Sequence, residues 1–125
     1  MMTTRSDRLT LLFCGLTIFA ASSAPAGTRP GHVNNGQALY QRHCLQCHGA
    51  ALDGKGPKAA SLRVRPTNFY TYLSRVKGDL ELEVTIRRGR ESTAMHDWDP
   101  ALTDAEIDDL IAYIRSAVPR LEVKP

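Results

Sequence analysis

Apolar side chains recur at helical spacing near the C-terminal end of the chain. They form one stripe, made of Ile107, Leu110, Ile111, Ile114 and Val118. Thr103 followed three residues later by Glu106 has the spacing of a capping box, and Pro119 cannot continue a helix. This pattern predicts an amphipathic helix from about Asp104 to Val118. Three aspartates near its start, Asp104, Asp108 and Asp109, suit the positive end of the helix dipole, and a solvated charged face accounts for them.

A second helix is expected to begin at Asn34 or Asn35, either of which can cap it, and to run through Tyr40 into the Cys44 region. Gly36 and Tyr40 share one face of this segment. Because glycine costs stability inside a helix, its place there indicates that another backbone comes close. The C-terminal helix is the natural partner.

The segment from Asp79 to Arg88 is ambiguous by periodicity alone. Its apolar residues alternate with polar ones, which taken alone favours a strand. A lone strand would have no partner in a chain otherwise made of helix and loop. The acid in the first turn, the two arginines in the last turn and Gly89 just beyond favour a helix, and we predict one.

The N-terminal residues have the pattern of a secretory signal peptide. Arg5 and Arg8 precede an apolar run, and Ala24-Pro25-Ala26 fits a cleavage site. The run is short for a membrane span, which needs about 20 residues, so an uncleaved membrane tether is the alternative. We therefore predict a signal peptide at 1–26, a flexible lead-in at 27–34, a domain at 35–119 and a tail at 120–125, in a periplasmic protein.

Removal of the signal peptide leaves 99 of the 125 residues, enough for one small domain whose apolar core is marginal by itself. The formal net charge of +3 falls to +2. We interpret the basic residues as dispersed among acidic ones, which excludes a nucleic-acid footprint. Cys14 would leave with the signal, so one cysteine pair remains in an exported protein, where free thiols are uncommon.

That pair lies in the segment Cys44-Leu45-Gln46-Cys47-His48. Two thiols at i and i+3 point the same way on a helical turn and can reach the two vinyl groups of one haem, while the adjacent histidine can ligate the iron. Three other uses stay open: a redox-active dithiol, which normally accompanies a βαβ pattern; a zinc site, which needs four ligands; and a small disulfide loop. The pattern favours covalent attachment of haem c, with His48 as an iron ligand.

From about Gly36 to Ala117 the chain resembles class I c-type cytochromes, the monohaem bacterial cytochrome c family. The resemblance rests on motifs that occur in the family's order: Gly36-x-x-x-Tyr40, Cys44-x-x-Cys47-His48-Gly49, Asp53-Gly54-x-Gly56, Ser61-Leu62, Arg65-Pro66, Ile86-Arg87-x-Gly89, Met95-x-x-Trp98, Leu102-Thr103-x-x-Glu106-Ile107 and Tyr113-Ile114. It implies an all-α fold of three to five short helices around one covalently bound haem, and electron transfer as the activity.

The resemblance also implies Met95 as the second iron ligand, opposite His48. His96 follows it where the family commonly has proline, so His96 is an alternative ligand. The family's carbonyl partner for the ligand histidine would here be Ala60 or Pro57. Candidates for holding the haem propionates or lining the pocket are Arg63, Arg65, Tyr70, Tyr72 and Trp98.

With both axial positions filled, the implied function is a one-electron carrier that docks weakly with donor and acceptor proteins, and not an enzyme in itself. Membrane contact is expected only through such partners, and the oligomeric state stays open. Two alternatives differ in class: a haem catalyst or gas-binding protein with an open distal position, and a Cys-x-x-Cys thiol oxidoreductase.

Overall fold

The computed structural model describes residues 31–123; the predicted signal peptide, the first half of the lead-in and the last two residues of the tail lie outside this range. The described chain is all-α, as predicted, with five α-helices and one short 3₁₀ helix and no strand among these residues. The helices are α1 Val33–His43, α2 Leu45–His48, α3 Tyr72–Arg75, α4 Asp79–Arg88 and α5 Asp104–Ala117, and the 3₁₀ helix is Ala59–Ser61. Within the described part, every helix is too short or too polar to cross a bilayer.

The packing of α1 against α5 forms the centre of the fold. Gly36 lies against α5 so closely that a Cβ would overlap the carbonyl group of Asp109 and come within 2.9 Å of the Tyr113 Cβ. One turn later the rings of Tyr40 and Tyr113 pack with centroids 5.3 Å apart. The expected close approach at Gly36 is therefore confirmed, and it brings the two long helices together beside the cysteine pair.

The start of α1 differs from the sequence-based expectation. The helix begins at Val33 with His32 as the N-cap residue, and neither asparagine caps it. Its capping group comes from α5: the Asp109 carboxylate accepts hydrogen bonds from the His32 backbone N–H and from Asn35 Nδ2, both at 2.6 Å. The solvated-face interpretation is thus wrong for Asp109, which is buried. A carboxylate at a helix N-terminus also interacts favourably with the positive end of the helix dipole.

The helical prediction for 79–88 is confirmed by α4. Glu81 in its first turn accepts a hydrogen bond from the Gly78 backbone N–H at 2.9 Å, and Gly89 at its end has φ +65°. Arg87 pairs with Glu83 of its own helix at 3.0 Å and connects α4 to α5 through an ion pair with Asp104 at 2.8 Å. The Asp104 pair therefore links the two helices just before the loop that follows α4.

Helix α5 confirms the C-terminal prediction and ends at Ala117. The capping box is present: Thr103 Oγ1 accepts from the Glu106 N–H at 3.3 Å, and the Glu106 carboxylate accepts from the Thr103 N–H at 2.8 Å. The apolar stripe of α5 supplies much of the core, which also contains Leu39, Tyr40, Leu52, Leu82 and Leu102. One side of this core is open to a cavity.

Candidate haem-binding site

A cavity of about 330 Å³ lies between the segment 43–77 and the segment 82–98, with α5 at its base. Its lining is predominantly apolar and includes Leu62, Val64, Phe69, Leu82, Ile86, Leu110 and Ile114. The four residues that the sequence singled out for the cofactor, Cys44, Cys47, His48 and Met95, all line it. Residues far apart in the chain, those of the Cys-x-x-Cys-His segment and those of the methionine loop, therefore meet around one space.

Both cysteines lie on the short helical turn that follows α1. The Cys44 carbonyl accepts hydrogen bonds from the N–H groups of Cys47 at 3.1 Å and His48 at 2.9 Å, so the segment is wound with both thiols on the cavity side. The two cysteines are not joined in a disulfide. Burial, with a smaller effect from Cys47, raises the pKa of the Cys44 thiol to about 12. A thiol with so high a pKa stays protonated at neutral pH, so it is a poor nucleophile for dithiol exchange. A neutral thiol is nevertheless compatible with a thioether, which is also neutral.

His48 is oriented by contacts on both sides of its ring. Nδ1 lies 3.4 Å from the Thr67 carbonyl oxygen, and the ring packs on Phe69 with centroids 5.3 Å apart. Burial lowers the pKa of His48, partly offset by the Thr67 carbonyl, so the neutral imidazole is favoured. A neutral ring whose Nδ1 faces a carbonyl leaves Nε2 as the ligating atom.

The prediction that the carbonyl of Ala60 or Pro57 is the partner of His48 Nδ1 is therefore wrong. The carbonyl comes from Thr67, because residues 62–69 and not the 3₁₀ helix run past the imidazole. Nothing local in the sequence marks this pairing, which joins residues 19 positions apart.

The turn after His48 is fixed by Gly49 and Tyr40. Gly49 has φ +80°, a conformation that L-residues with side chains rarely adopt. Its carbonyl accepts a 2.8 Å hydrogen bond from the Tyr40 hydroxyl, and burial raises the pKa of Tyr40, which keeps this hydroxyl protonated. The Gly36 and Tyr40 motif thus connects the helix pair to the backbone beside the histidine.

Met95 lies on a loop anchored to the end of α4. Its carbonyl accepts a hydrogen bond from the Arg90 N–H at 2.8 Å, and its own N–H donates to Thr93 Oγ1 at 3.1 Å. A Cβ at Gly89 would come within 2.5 Å of the Met95 carbonyl oxygen, so the loop folds directly over this glycine. The Trp98 N–H then donates to the Ile86 carbonyl at 3.2 Å. The loop is short and internally bonded without the proline that the family commonly has after its methionine.

Trp98 lies between two histidines at one side of the cavity. Its ring is 4.4 Å from that of His96 and 5.0 Å from that of His43, centroid to centroid. His96 is exposed and its Nδ1 lies 2.7 Å from the Asp97 carbonyl oxygen. His96 also lines the cavity, so the position of the residue does not by itself exclude it as an alternative to Met95.

The charged groups that line the cavity are all basic among the described residues: Arg65, Lys77 and Arg90, with no aspartate or glutamate. Arg65 and Trp98 were expected there. The other three candidates are not in the lining: Arg63 donates to the Ser92 carbonyl at 3.0 Å, and Tyr70 and Tyr72 are exposed. Sequence reasoning missed Lys77 and Arg90. No local sequence pattern marks either residue as part of the cavity.

The residues present fit a haem. Two unbridged thiols lie on one helical turn, a neutral imidazole is adjacent, and a methionine, which carries a thioether, lines the same cavity. The lining is apolar, as a porphyrin ring requires, and its basic groups match two propionates. A helical shell around such a cavity is the fold of a c-type cytochrome domain, a class of protein that supports haem-based electron transfer.

The chain belongs to the family described as cytochrome c oxidase, cbb3-type, subunit III, whose model matches residues 31–114. It is similar to dihydro-haem d1 dehydrogenase of Pseudomonas aeruginosa, with 38% identity over 111 residues. The match covers 88% of this chain but 20% of that protein, so the chain spans about a fifth of the length of this relative.

Two solved structures have the same fold. Cytochrome cL of Methylophaga aminisulfidivorans is 31% identical with a TM-score of 0.52, over 69% of this chain and 55% of that one. A chain of the reducing HAO-like protein complex of Kuenenia stuttgartiensis has a TM-score of 0.62 at 24% identity, over 71% of this chain and 44% of that one. The second likeness concerns the fold alone.

Proposed function

We propose that this chain is a one-electron carrier that holds a single covalently attached haem c. Cys44 and Cys47 are the attachment residues, and His48 and Met95 are the iron ligands. The observation that supports this most strongly is that all four side chains line one apolar cavity although Met95 is 47 positions from His48 in the sequence. When bound, the haem supplies a reversible one-electron change between Fe(II) and Fe(III).

The protein residues set the conditions for that change. His48, oriented by Thr67 and Phe69, presents a fixed donor, and the bonded loop 89–98 presents the Met95 sulfur. A thioether ligand raises the reduction potential relative to a second histidine. Because neither ligand has to move, electron exchange requires little rearrangement of the protein.

We further propose that Arg65, Lys77 and Arg90 compensate the propionate charge. No ion pair joins any of these three to an acidic residue within the described range. Arg65 and Arg90 are exposed and Lys77 is partly buried, so a propionate at the edge of the cavity would find cationic partners that no acidic side chain occupies.

Export and the domain layout are part of the proposal. The signal-peptide pattern at 1–26, the lead-in at 27–34, the domain at 35–119 and the tail at 120–125 describe a periplasmic carrier, with an uncleaved membrane tether as the alternative. The similarity to a fifth of a dehydrogenase supports a role beside a catalytic partner, either as a free shuttle or as a subunit of a complex. The chain itself is then not an enzyme.

An optical and redox titration of the holoprotein tests the ligand assignment. We expect the wild type and the His96→Ala variant to show the methionine–iron charge-transfer band in the ferric state, and Met95→Ala to lose it and to titrate at a lower potential. A wild type without the band, whose ferric spectrum His96→Ala changes and Met95→Ala does not, would contradict the assignment in favour of His96. A ferric spectrum without the band that neither variant changes would instead support an open distal position, as in a haem catalyst or gas-binding protein.

A further inference from the structure

Charge is divided unevenly between the two halves of the described chain. Residues 31–78 contain seven Lys and Arg residues and one acidic residue, whereas residues 79–123 contain five basic and eleven acidic residues. The two halves therefore carry about equal and opposite formal charges, and the expectation that basic residues are dispersed among acidic ones is wrong. Although the net charge of the described residues is close to zero, the segment 31–78 is strongly basic.

The basic segment packs directly on the helix that carries the cysteines. The Lys58 N–H donates to the Gln46 carbonyl at 2.8 Å, and the Gly56 N–H donates to the Cys47 carbonyl at 3.1 Å. A Cβ at Gly56 would come within 2.5 Å of carbonyl oxygens of α2, so no side chain separates the two segments. Lys58 is thus held beside the attachment helix by its backbone, with its side chain exposed.

The same segment continues to the mouth of the cavity. Val64 lines the cavity and is nevertheless 45% exposed, which places it at the rim. Its neighbours Arg63 and Arg65 are both exposed. Neither of them nor Lys58 has an acidic partner within the described residues. Because Arg65 is assigned to the propionates, we call the surface formed by Lys58, Arg63 and Val64, exposed residues of the segment that packs on α2 and reaches the cavity rim, the basic face.

We propose that the basic face is the docking surface for the redox partner of this chain, and that the partner presents a carboxylate-rich surface to it. This inference rests on the proposed electron-carrier function. Unpaired cations around a small apolar residue match the charged rim and apolar centre of a transient protein interface. A partner must approach the cavity mouth to exchange an electron, and opposite charge on the partner would both steer and orient that approach.

Stopped-flow oxidation of the reduced holoprotein tests the local charge with small probes of opposite sign. Hexacyanoferrate(III) is the anionic oxidant and tris(phenanthroline)cobalt(III) the cationic one, each measured between 10 and 200 mM salt, a range over which the screening length falls from about 30 to below 10 Å. We expect the hexacyanoferrate rate to fall about tenfold with added salt and the cobalt rate to rise. Poly-L-glutamate at low salt should slow the hexacyanoferrate reaction by covering the face.

Two variants that change the net charge equally test whether the effect of charge on the oxidation rate comes from the basic face. Lys58→Glu should reduce the low-salt hexacyanoferrate rate about threefold and flatten its salt dependence. Arg120→Glu, in the segment after α5 and outside the face, should change the rate by less than the Lys58 variant does. Equal effects of both variants would show that only net charge matters and would overturn the proposal.

The outcomes separate this proposal from the one on which it rests. Protein without a reducible haem gives no absorbance change with either oxidant, and then the proposed function fails. Holoprotein that is oxidised at rates indifferent to salt and to the sign of the oxidant refutes the basic face alone. Co-sedimentation with phosphatidylglycerol vesicles at 150 mM salt, lost in Lys58→Glu, would assign the face to a membrane and overturn the protein partner; we expect no such binding.

Discussion

Replacement of Gly36 by alanine should lower the free energy of unfolding, although helix propensity alone predicts that it would rise. Alanine in place of glycine inside a helix stabilises by roughly 0.5–1 kcal/mol. At Gly36, however, the new Cβ would overlap the Asp109 carbonyl group and lie 2.9 Å from the Tyr113 Cβ. Backbone of α5 cannot rotate away as a long side chain can, so α1 and α5 must separate.

That separation disturbs more than one contact. Overpacking typically costs about 1–3 kcal/mol. The Asp109 carboxylate accepts hydrogen bonds from the His32 N–H and the Asn35 amide at 2.6 Å. Each of these bonds that is strained adds roughly 1 kcal/mol to the loss of stability. After subtraction of the propensity gain, we expect the free energy of unfolding to fall by about 2–4 kcal/mol.

Urea unfolding of the holoprotein at 25 °C, followed by far-UV circular dichroism, measures this difference. Ala38 is exposed on the same helix, so Ala38→Gly is a matched control that should lose only about 1 kcal/mol from propensity. A Gly36→Ala protein as stable as the wild type, or more stable, would refute the close helix contact.

Three other changes probe the core, a helix cap and the methionine loop. Ile107→Ala removes a side chain that is 0% exposed, so it should lower the free energy of unfolding by about 2–5 kcal/mol in urea titrations; a loss below 1 kcal/mol would contradict its burial. Thr103 hydrogen bonds hold the pKa of Glu106 below its ordinary value, so this stabilisation is present above the ordinary glutamate pKa and is lost as the pH falls through the lowered one. Thr103→Ala should therefore flatten the acid limb of the stability–pH curve, and an unchanged limb would count against the cap. Arg63→Gln removes the 3.0 Å hydrogen bond to the Ser92 carbonyl and frees the loop, so exogenous imidazole should displace the methionine ligand up to about fivefold faster, as a hydrogen bond of about 1 kcal/mol implies; an unchanged displacement rate would show that this bond does not restrain the loop.

Features that depend on local spacing were predictable from the sequence. The stripe and capping box of α5 follow from residues within one helix, and the acid, arginine and glycine pattern of α4 overrides its strand-like alternation. The Cys44-x-x-Cys47-His48 segment indicated its chemistry because its residues are neighbours. The resemblance added Met95, and the structure places it at the same cavity.

Apart from the close approach at Gly36, several features that depend on long-range contacts were not predictable. Asp109 caps α1 from 74 or more residues away, and the Thr67 carbonyl approaches His48 only because the loop passes the imidazole ring. Lys77 and Arg90 reach the cavity through the packing of α4 and its following loop, which no local pattern specifies. Periodicity identifies the face of a helix but not the group that will meet it.

The most direct test of the central claim is peptide mass spectrometry on protein expressed with cytochrome c maturation machinery. Trypsin cleavage after Arg42 and Lys55 isolates the peptide 43–55, which contains both mature cysteines. We predict that this peptide carries the mass of one haem and that neither cysteine reacts with iodoacetamide. An unmodified peptide with both thiols alkylated, from colourless protein, would contradict covalent haem attachment and the function built on it.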